Sequence, residues 1–146
     1  MLSKKVLTPK QVQKLLYYTY SMYLIKYNKS YKEGEMNKLF EDTIEAWEHG
    51  SVIRNVYDYI KKVDFSNELV ACKEKVTLCD RKTENFIDKV LAVYGNYSGY
   101  ELEQMTHNES PWQEAMSIGR NTRISDKTIY NFYSKKYNII KNLDNI

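Results

Sequence analysis

The sequence predicts an all-α fold, a compact single-domain bundle of about six to eight helices around the N-terminal helix. Apolar residues recur at spacings of three and four over most of the chain, which is the period of one helical face. No segment shows a period-two alternation long enough for a half-buried strand. The length of 146 residues, with 42% hydrophobic and 28% charged residues, fits one globular domain. We therefore treat residues 1–146 as one domain.

The opening helix is the best defined. Thr8 is a good helix cap, and Pro9 at the first helical position loses no hydrogen bond that the helix needs. The pattern continues to about Tyr27, and tyrosines surround the helix on every side. Such a helix has few faces suited to water, so we expect it to be central and packed by others. Its inner face is formed by Val12, Leu15, Leu16, Thr19, Tyr23 and Leu24.

The stretch Leu39–Tyr59 predicts a helix–turn–helix corner. A short helix through Trp47 would end at Gly50, because glycine supplies the positive φ that ends many helices. Ser51 would cap a second helix that begins near Val52. Trp47 is expected to anchor the core, so that Trp47→Ala would cost about 3–5 kcal/mol of stability.

Further start and stop signals divide the rest of the chain. The segment Asn28–Lys38 is polar and contains a glycine, which indicates a surface loop. Val63–Lys82 has no clear period. The predicted later elements are a helix from Thr83 to Gly95, one capped by Ser98 with Glu101, one begun by Ser110-Pro111, a loop over Ile118–Arg123, and a last helix capped by Ser125 or Asp126.

No arrangement of residues predicts catalysis or metal binding. Cys72 and Cys79 lie far from His49 and His107 in sequence, which does not match the short spacings of zinc ligands. The glycines are scattered and form no phosphate-binding loop. We expect no enzyme activity and no cofactor. Without an apolar leader or a run of about 18 apolar residues, we expect a cytoplasmic protein with reduced thiols and no membrane partner.

His107 lies in a tight corner between two predicted helices. The segment runs from Thr106 to Trp112 and includes Pro111, which starts the second helix. A histidine at such a corner can bond a backbone carbonyl and hold the turn in place. We expect this structural role for His107.

Charge is distributed unevenly, although the net charge is only +3. Residues 1–38 carry +6 and residues 118–146 carry +4, whereas residues 39–59 carry −4 and residues 83–117 carry −5. Faces of opposite sign can steer a charged partner. The basic ends leave nucleic-acid binding open as an alternative, but no helix carries base-reading residues at the right spacing, so we do not expect nucleic acid as the main partner.

Three segments, in this order and spacing, resemble the Panacea domain of SocA-like antitoxins, a group that includes GepA-type phage-associated proteins. The first is Gln13–Tyr18. The second comprises Leu39-Phe40, Ile44–Trp47, His49–Val52 and Val56-Tyr57. The third comprises Tyr94-Gly95, Tyr97-Ser98, Glu101-Leu102, Thr106-His107, Pro111-Trp112 and Ala115, and residues 124–132 resemble the closing helix of the family.

The resemblance implies a non-enzymatic, all-α antitoxin. It would neutralise a cognate protein toxin, encoded by the adjacent gene, through direct protein–protein contact, with delivery of the toxin to a host protease as a variant. We expect the motif residues to be scaffold: Lys14, Leu15, Tyr17, Trp47, Gly50, Val52, Tyr57, His107, Pro111 and Trp112. We expect partner contact on less patterned surface, with Tyr27, Tyr31, Lys32 and Tyr59 as candidates.

Two other functions stay open. The same fold could serve a phage or mobile element as a module that binds a host defence factor. It could also act as a nucleic-acid-binding regulator. The identity of the partner, the oligomeric state and the role of proteolysis do not follow from these residues.

Overall fold

The computed structural model describes residues 7–62 and 80–139. This part is mostly helical, with six helices and a small three-stranded antiparallel sheet. The predicted helical bundle is therefore confirmed in outline, but the fold is not strictly all-α. In chain order the elements are α1 (Pro9–Lys26), β1 (Ile44–Trp47), β2 (Gly50–Ile53), α2 (Arg54–Lys62), α3 (Arg81–Tyr94), α4 (Gly99–His107), α5 (Ser110–Ile118), β3 (Thr122–Arg123) and α6 (Asp126–Ile139).

Helix α1 begins where predicted and is the central helix. The Gln11 backbone N–H donates to Thr8 Oγ1 at 3.1 Å, and the Thr8 N–H donates to Gln11 Oε1 at 3.0 Å. This reciprocal pair satisfies N–H groups that have no partner within the helix. Helices α3, α4 and α6 and strand β2 pack around α1. The helix buries 11 of its residues, including Tyr17, Tyr18 and Leu24.

The predicted helix through Ile44, Ala46 and Trp47 is wrong, because this segment is strand β1. Its side chains alternate between buried and half-buried positions, so the period is two rather than 3.6. The chain does turn where predicted, but Gly50 with φ 108° follows a two-residue hairpin turn instead of ending a helix. Ser51 caps no helix and is buried within β2, and the following helix begins at Arg54.

The sheet has the strand order β2-β1-β3. In the hairpin, Ile44 pairs with Ile53 and Trp47 pairs with Gly50. Strand β3 lies in the segment predicted as a loop, and its Thr122 pairs with Ala46. The sheet therefore joins two segments that are more than 70 positions apart, a contact that local sequence patterns do not reveal.

The later helices begin close to their predicted caps. Asp80 accepts from the Thr83 N–H at 2.7 Å, so α3 starts at Arg81, two residues before the predicted position. The predicted capping box of Ser98 and Glu101 is confirmed. The predicted starts of α5 at Ser110-Pro111 and of α6 at Ser125-Asp126 are also confirmed. Most of the segment Val63–Lys82, for which the sequence showed no clear period, lies outside the described residues, and this part includes Cys72 and Cys79.

The core contains a buried carboxylate, Glu109, which is 4% exposed. The hydroxyl groups of Tyr18 and Tyr133 donate to Glu109 Oε1 at 2.7 and 2.6 Å, and Lys136 Nζ donates to Oε2 at 2.8 Å. The Tyr17 and Tyr133 hydroxyl oxygens lie 3.1 Å apart. Burial raises the pKa of all three tyrosines, so they remain neutral donors. We call these five residues the Glu109 cluster.

Trp47 does not anchor the core, contrary to the prediction. It is half-buried and lies outside the cluster of buried apolar residues. In strand β1 the side chains of Ile44 and Ala46 point into the core, and Trp47 points to the other face. Within the described ranges, no helix is both long and apolar enough to cross a membrane.

Candidate functional site

A groove of about 480 Å³ lies where the start of α1, the hairpin and α2 meet the turn before β3. We call it the hairpin groove. Its apolar lining comes from Pro9, Trp47, Val52, Tyr57 and Ile60. Its polar and charged lining comes from Lys10, Gln13, Lys14, Glu48, His49, Lys61, Arg120 and Asn121. The volume falls within the range of about 300–1,000 Å³ that is typical of ligand pockets.

The aromatic wall of the groove is held in place by a charged pair. The rings of Trp47 and Tyr57 meet edge to face, with centroids 4.9 Å apart. Trp47 Nε1 donates to Glu45 Oε1 at 2.9 Å, and the Arg54 guanidinium lies 5.2 Å from the indole centroid while also bonding Glu45. Burial alone would raise the pKa of Glu45, but the hydrogen bonds from Arg54 and Trp47 lower it overall. Trp47 is thus a rigid surface residue, and Tyr57 beside it is 37% exposed.

Lys14 forms part of the groove floor and is only 2% exposed. Its Nζ donates to the carbonyl oxygen of Ser51 at 3.0 Å. Burial lowers the pKa of Lys14 from 10.5 to about 8, although the charge of Glu103 opposes this change. A Cβ atom at Gly50 would lie 2.6 Å from Lys14 Cε. Gly50 is therefore needed both for its positive φ and for the passage of the lysine side chain.

Gln13 and Lys14 together cover the outer edge of strand β2. The Gln13 side-chain amide donates to the Ile53 carbonyl at 3.2 Å and accepts from the Ile53 N–H at 2.9 Å. An open strand edge would expose unpaired backbone groups to other chains. Side chains of α1 satisfy these groups, so the groove floor is a closed surface rather than a site for strand addition.

One rim of the groove carries an ion-pair cluster. Lys10 Nζ lies 2.7 Å from Glu103 Oε1, and His49 Nδ1 lies 3.4 Å from Glu103 Oε2. Burial alone would raise the pKa of Glu103, but bonding to Lys10 and His49 lowers it overall. This cluster ties the hairpin tip to α1 and α4.

The hairpin tip is also fixed by His107 and Trp112. His107 Nε2 bonds the Glu48 carbonyl at 3.0 Å, which confirms the predicted carbonyl contact, and Trp112 Nε1 donates to the Trp47 carbonyl at 2.8 Å. The imidazole stacks on the indole of Trp112, with centroids 4.1 Å apart. These residues position the groove wall without lining it.

The described residues contain no group of three or more His, Cys, Asp or Glu side chains suited to a metal ion. The groove instead combines aromatic rings, aliphatic side chains and cations. This chemistry suits the binding of another molecule.

The family comparison is decisive. A family model described as antitoxin SocA-like, Panacea domain, matches residues 12–113, which is more than half of the chain. The chain belongs to the SocA-like antitoxin family. No curated protein and no solved structure matches it. Membership supports an antitoxin role in general.

The SocA-like match ends before α6, so the resemblance of residues 124–132 to the closing helix stays a prediction. The residues named as family scaffold fall into two sets in the structure. Leu15, Tyr17, Val52 and Pro111 are buried. The others, apart from His107 and Trp112 behind the hairpin tip, lie at the hairpin groove, namely Lys14, Trp47, Gly50 and Tyr57, and the buried Val52 also lines it.

The four candidate partner-binding residues do not come together in the SocA-like domain. Tyr27 and Tyr31 line a shallow surface at the end of α1, whereas Tyr59 lies on α2. Lys14 and Tyr27 are thirteen residues apart on one helix, which places them about 20 Å apart. Tyr27 packs against Tyr23 and Phe86, while Lys32 is exposed in the loop after α1.

The groove was not predicted from the sequence, because Trp47 was expected in the core and Tyr57 was expected to belong to the scaffold. Ile44 and Ala46 are apolar and Glu45 between them is charged, which is compatible with a strand, but four residues are too few to distinguish a strand from a helix. The two-residue turn Glu48-His49 before Gly50 lacks the Asn-Gly or Asp-Gly pair that marks many hairpins, so the sequence carries no strong hairpin signal here.

Proposed function

We propose that this SocA-like protein neutralises a cognate protein toxin by binding it directly, and that the hairpin groove is the contact face. Family membership supports the antitoxin role. The observation that supports the groove is the aromatic pair of the half-buried Trp47 and the exposed Tyr57, held by Glu45, Arg54 and the hairpin tip.

Tryptophan and tyrosine are the residue types that contribute most to protein–protein affinity. A rigid aromatic wall loses little conformational freedom on binding, so more of the contact energy is retained as affinity. In the hairpin groove this wall stands above a closed floor formed by Gln13 and Lys14. The face is thus pre-organised for a partner that inserts side chains.

We propose that this protein is not an enzyme and that it acts in the cytoplasm, where its toxin is made. Delivery of the toxin to a host protease is a variant of the same mechanism. The two variants differ in one observable: a delivered toxin disappears, whereas a blocked toxin persists in the complex.

Coexpression with the open reading frame beside this gene tests the proposal. We expect the neighbour alone to arrest growth, the pair to grow, and the two proteins to copurify. The double variant Trp47→Ala with Tyr57→Ala should lose rescue while remaining folded by circular dichroism. The matched control is Tyr97→Ala with Tyr100→Ala, two exposed tyrosines outside the groove lining, which should rescue like the unaltered protein.

A harmless neighbour would overturn the proposal if no other known toxin is rescued. Copurification with a host defence factor in place of a toxin would favour the second function class. A mobility shift with operator DNA at low salt, where phosphate contacts are strongest, would favour the regulator. Toxin levels followed over time in the rescued cells would separate blocking from delivery.

A further inference from the structure

In the hairpin groove, positively charged side chains lie beside an apolar wall. Among the described residues that line it, four are cations, Lys10, Lys14, Lys61 and Arg120, and one carboxylate, Glu48, faces them. Lys10 is paired with Glu103. Lys61 Nζ lies 5.4 Å from the Tyr57 ring centroid, so a cation stands directly beside the aromatic wall.

We propose that the groove binds an acidic segment of the partner protein that carries one apolar anchor side chain. The anchor packs against Trp47 and Tyr57, and the carboxylates beside it face Lys61 and Arg120. This inference rests on the proposed antitoxin function and names the partner segment that the groove selects.

The floor of the groove also favours an anion, because the positively charged side chain of Lys14 lies there. Lys14 is buried, its Nζ donates to the neutral carbonyl of Ser51, and the carboxylate of Glu103 that acts on its charge is also paired with Lys10. A carboxylate placed above the floor would stabilise the Lys14 ammonium by electrostatic attraction. Charge on the partner therefore adds to the contact made by the anchor.

The surroundings favour a short acidic segment over a nucleic acid. Glu45 accepts from Trp47 Nε1 at the groove wall, Asp58 follows Tyr57 on α2, and residues 39–59 carry a net charge of −4. A phosphate backbone that extended beyond the groove would meet these carboxylates and be repelled. A short segment needs only two or three carboxylates, which can be placed next to Lys61 and Arg120 instead.

The volume also fits this partner. About 480 Å³ holds one or two large side chains, but not a folded element in full. The partner segment would lie across the groove and insert its anchor between α2 and the hairpin.

Photo-crosslinking in the full chain tests the location and the chemistry together. The unnatural residue p-benzoylphenylalanine replaces Tyr57 in one protein and, as a control of similar exposure, Tyr97 in another. Each is coexpressed with the adjacent toxin, and crosslinked peptides are identified by mass spectrometry. We expect a crosslink from position 57 alone, to a toxin peptide with at least two Asp or Glu residues within about four positions of an apolar residue.

Charge reversal tests the electrostatic part. Lys61→Glu with Arg120→Glu should weaken toxin affinity about tenfold or more, and the loss should shrink at high salt because exposed charges are screened. The matched control is Lys127→Glu with Lys135→Glu, which changes the net charge equally on exposed positions of α6. Replacing the carboxylates of the crosslinked toxin peptide with lysines should restore binding to the reversed variant.

Several outcomes would overturn the inference while leaving the antitoxin function intact. One is a complex that crosslinks from position 97 but not from 57. Another is a crosslink to a neutral or basic peptide, and a third is an equal loss in both charge-reversal pairs. Displacement of the toxin by single-stranded RNA, with no crosslinked peptide, would show that the groove binds nucleic acid. Failure of the two proteins to form any complex would instead overturn the proposed function itself.

Discussion

The Glu109 cluster and the hairpin groove contain similar side chains, but the cluster satisfies its charges inside the protein, whereas the groove presents them to solvent. Both place charged groups among aromatic rings. In the Glu109 cluster, two tyrosines and a lysine supply three hydrogen bonds to one carboxylate, so its oxygens are satisfied inside the protein. In the groove, aromatic rings and cations face outward, and the buried Lys14 donates to a carbonyl rather than to a carboxylate. A satisfied cluster stabilises a fold, whereas an incompletely satisfied one can gain from a partner.

The largest effect should come from breaking the Glu109 cluster. Glu109→Gln preserves shape but leaves Lys136 without its anionic partner and Tyr18 and Tyr133 with a weaker acceptor. We expect the free energy of unfolding to fall by about 3 kcal/mol in urea denaturation. The control is Glu114→Gln on α5, the helix that Glu109 precedes; Glu114 is exposed, and its change should alter the free energy of unfolding by less than about 0.5 kcal/mol. Similar losses in both variants would mean that Glu109 is not an organising group of the core.

The pH dependence of stability tests the buried Lys14 of the hairpin groove. The pKa of Lys14 is about 8 in the fold against 10.5 ordinarily, so between these values the unfolded chain binds the proton and the folded chain does not. Stability from this group therefore rises with pH across that window, by about 1.5 kcal/mol between pH 8 and 9.5. We expect the unaltered protein to gain this amount relative to Lys14→Met when both are unfolded in urea at each pH.

The opposite trend should appear in both proteins above pH 10. There the unfolded tyrosines lose their protons while the buried tyrosines of the Glu109 cluster keep theirs, so stability falls. A stability difference between the two proteins that stays constant from pH 8 to 9.5 would contradict the lowered pKa of the buried Lys14.

Trp47→Ala should have an intermediate effect on stability. Because the indole is half-buried on the groove wall, we expect a loss of about 1–2 kcal/mol, below the 3–5 kcal/mol expected for a core tryptophan. The folded variant should bind the toxin poorly. Thermal unfolding and calorimetric titration of the same sample separate the two quantities. A loss of 4 kcal/mol or more, with full affinity in the folded fraction, would return Trp47 to a purely structural role.

Tyr57→Ala should have the smallest effect on stability, below about 1 kcal/mol, because the ring is exposed at the groove rim. Its effect on toxin affinity should be large, about 2 kcal/mol or more if Tyr57 is a central contact. Tyr97→Ala is the matched control for both measurements. Equal affinities of these two variants would remove Tyr57 from the interface.

Sequence pattern was most reliable where structure depends on neighbours along the chain. The cap at Thr8-Pro9, the capping box of Ser98 and Glu101 and the start of α5 at Ser110 are each encoded within four residues, and all three were predicted. The central position of α1 was also predictable, because tyrosines on every side leave it no face suited to water.

The hairpin was missed because its two strands are only four residues long. Over such a length, Ile44 and Trp47 fit a helical spacing of three as well as a strand with alternating sides. The choice depends on partners distant in sequence: β3 pairs with β1, and Gln13 bonds the outer edge of β2. The groove also cannot be predicted from short sequence patterns, since its cations come from α1, α2 and the turn before β3.

The residues alone were thus enough to place most helices, the central α1 and the family resemblance that the family match confirmed. These properties follow from local periods, caps and motif order. Which face Trp47 and Tyr57 occupy, and which charges stand beside them, depended on packing between distant segments. The physical reason is that a half-buried aromatic ring fits a core or a surface equally well by its chemistry, and only the elements packed around it determine whether it contacts the interior or a partner.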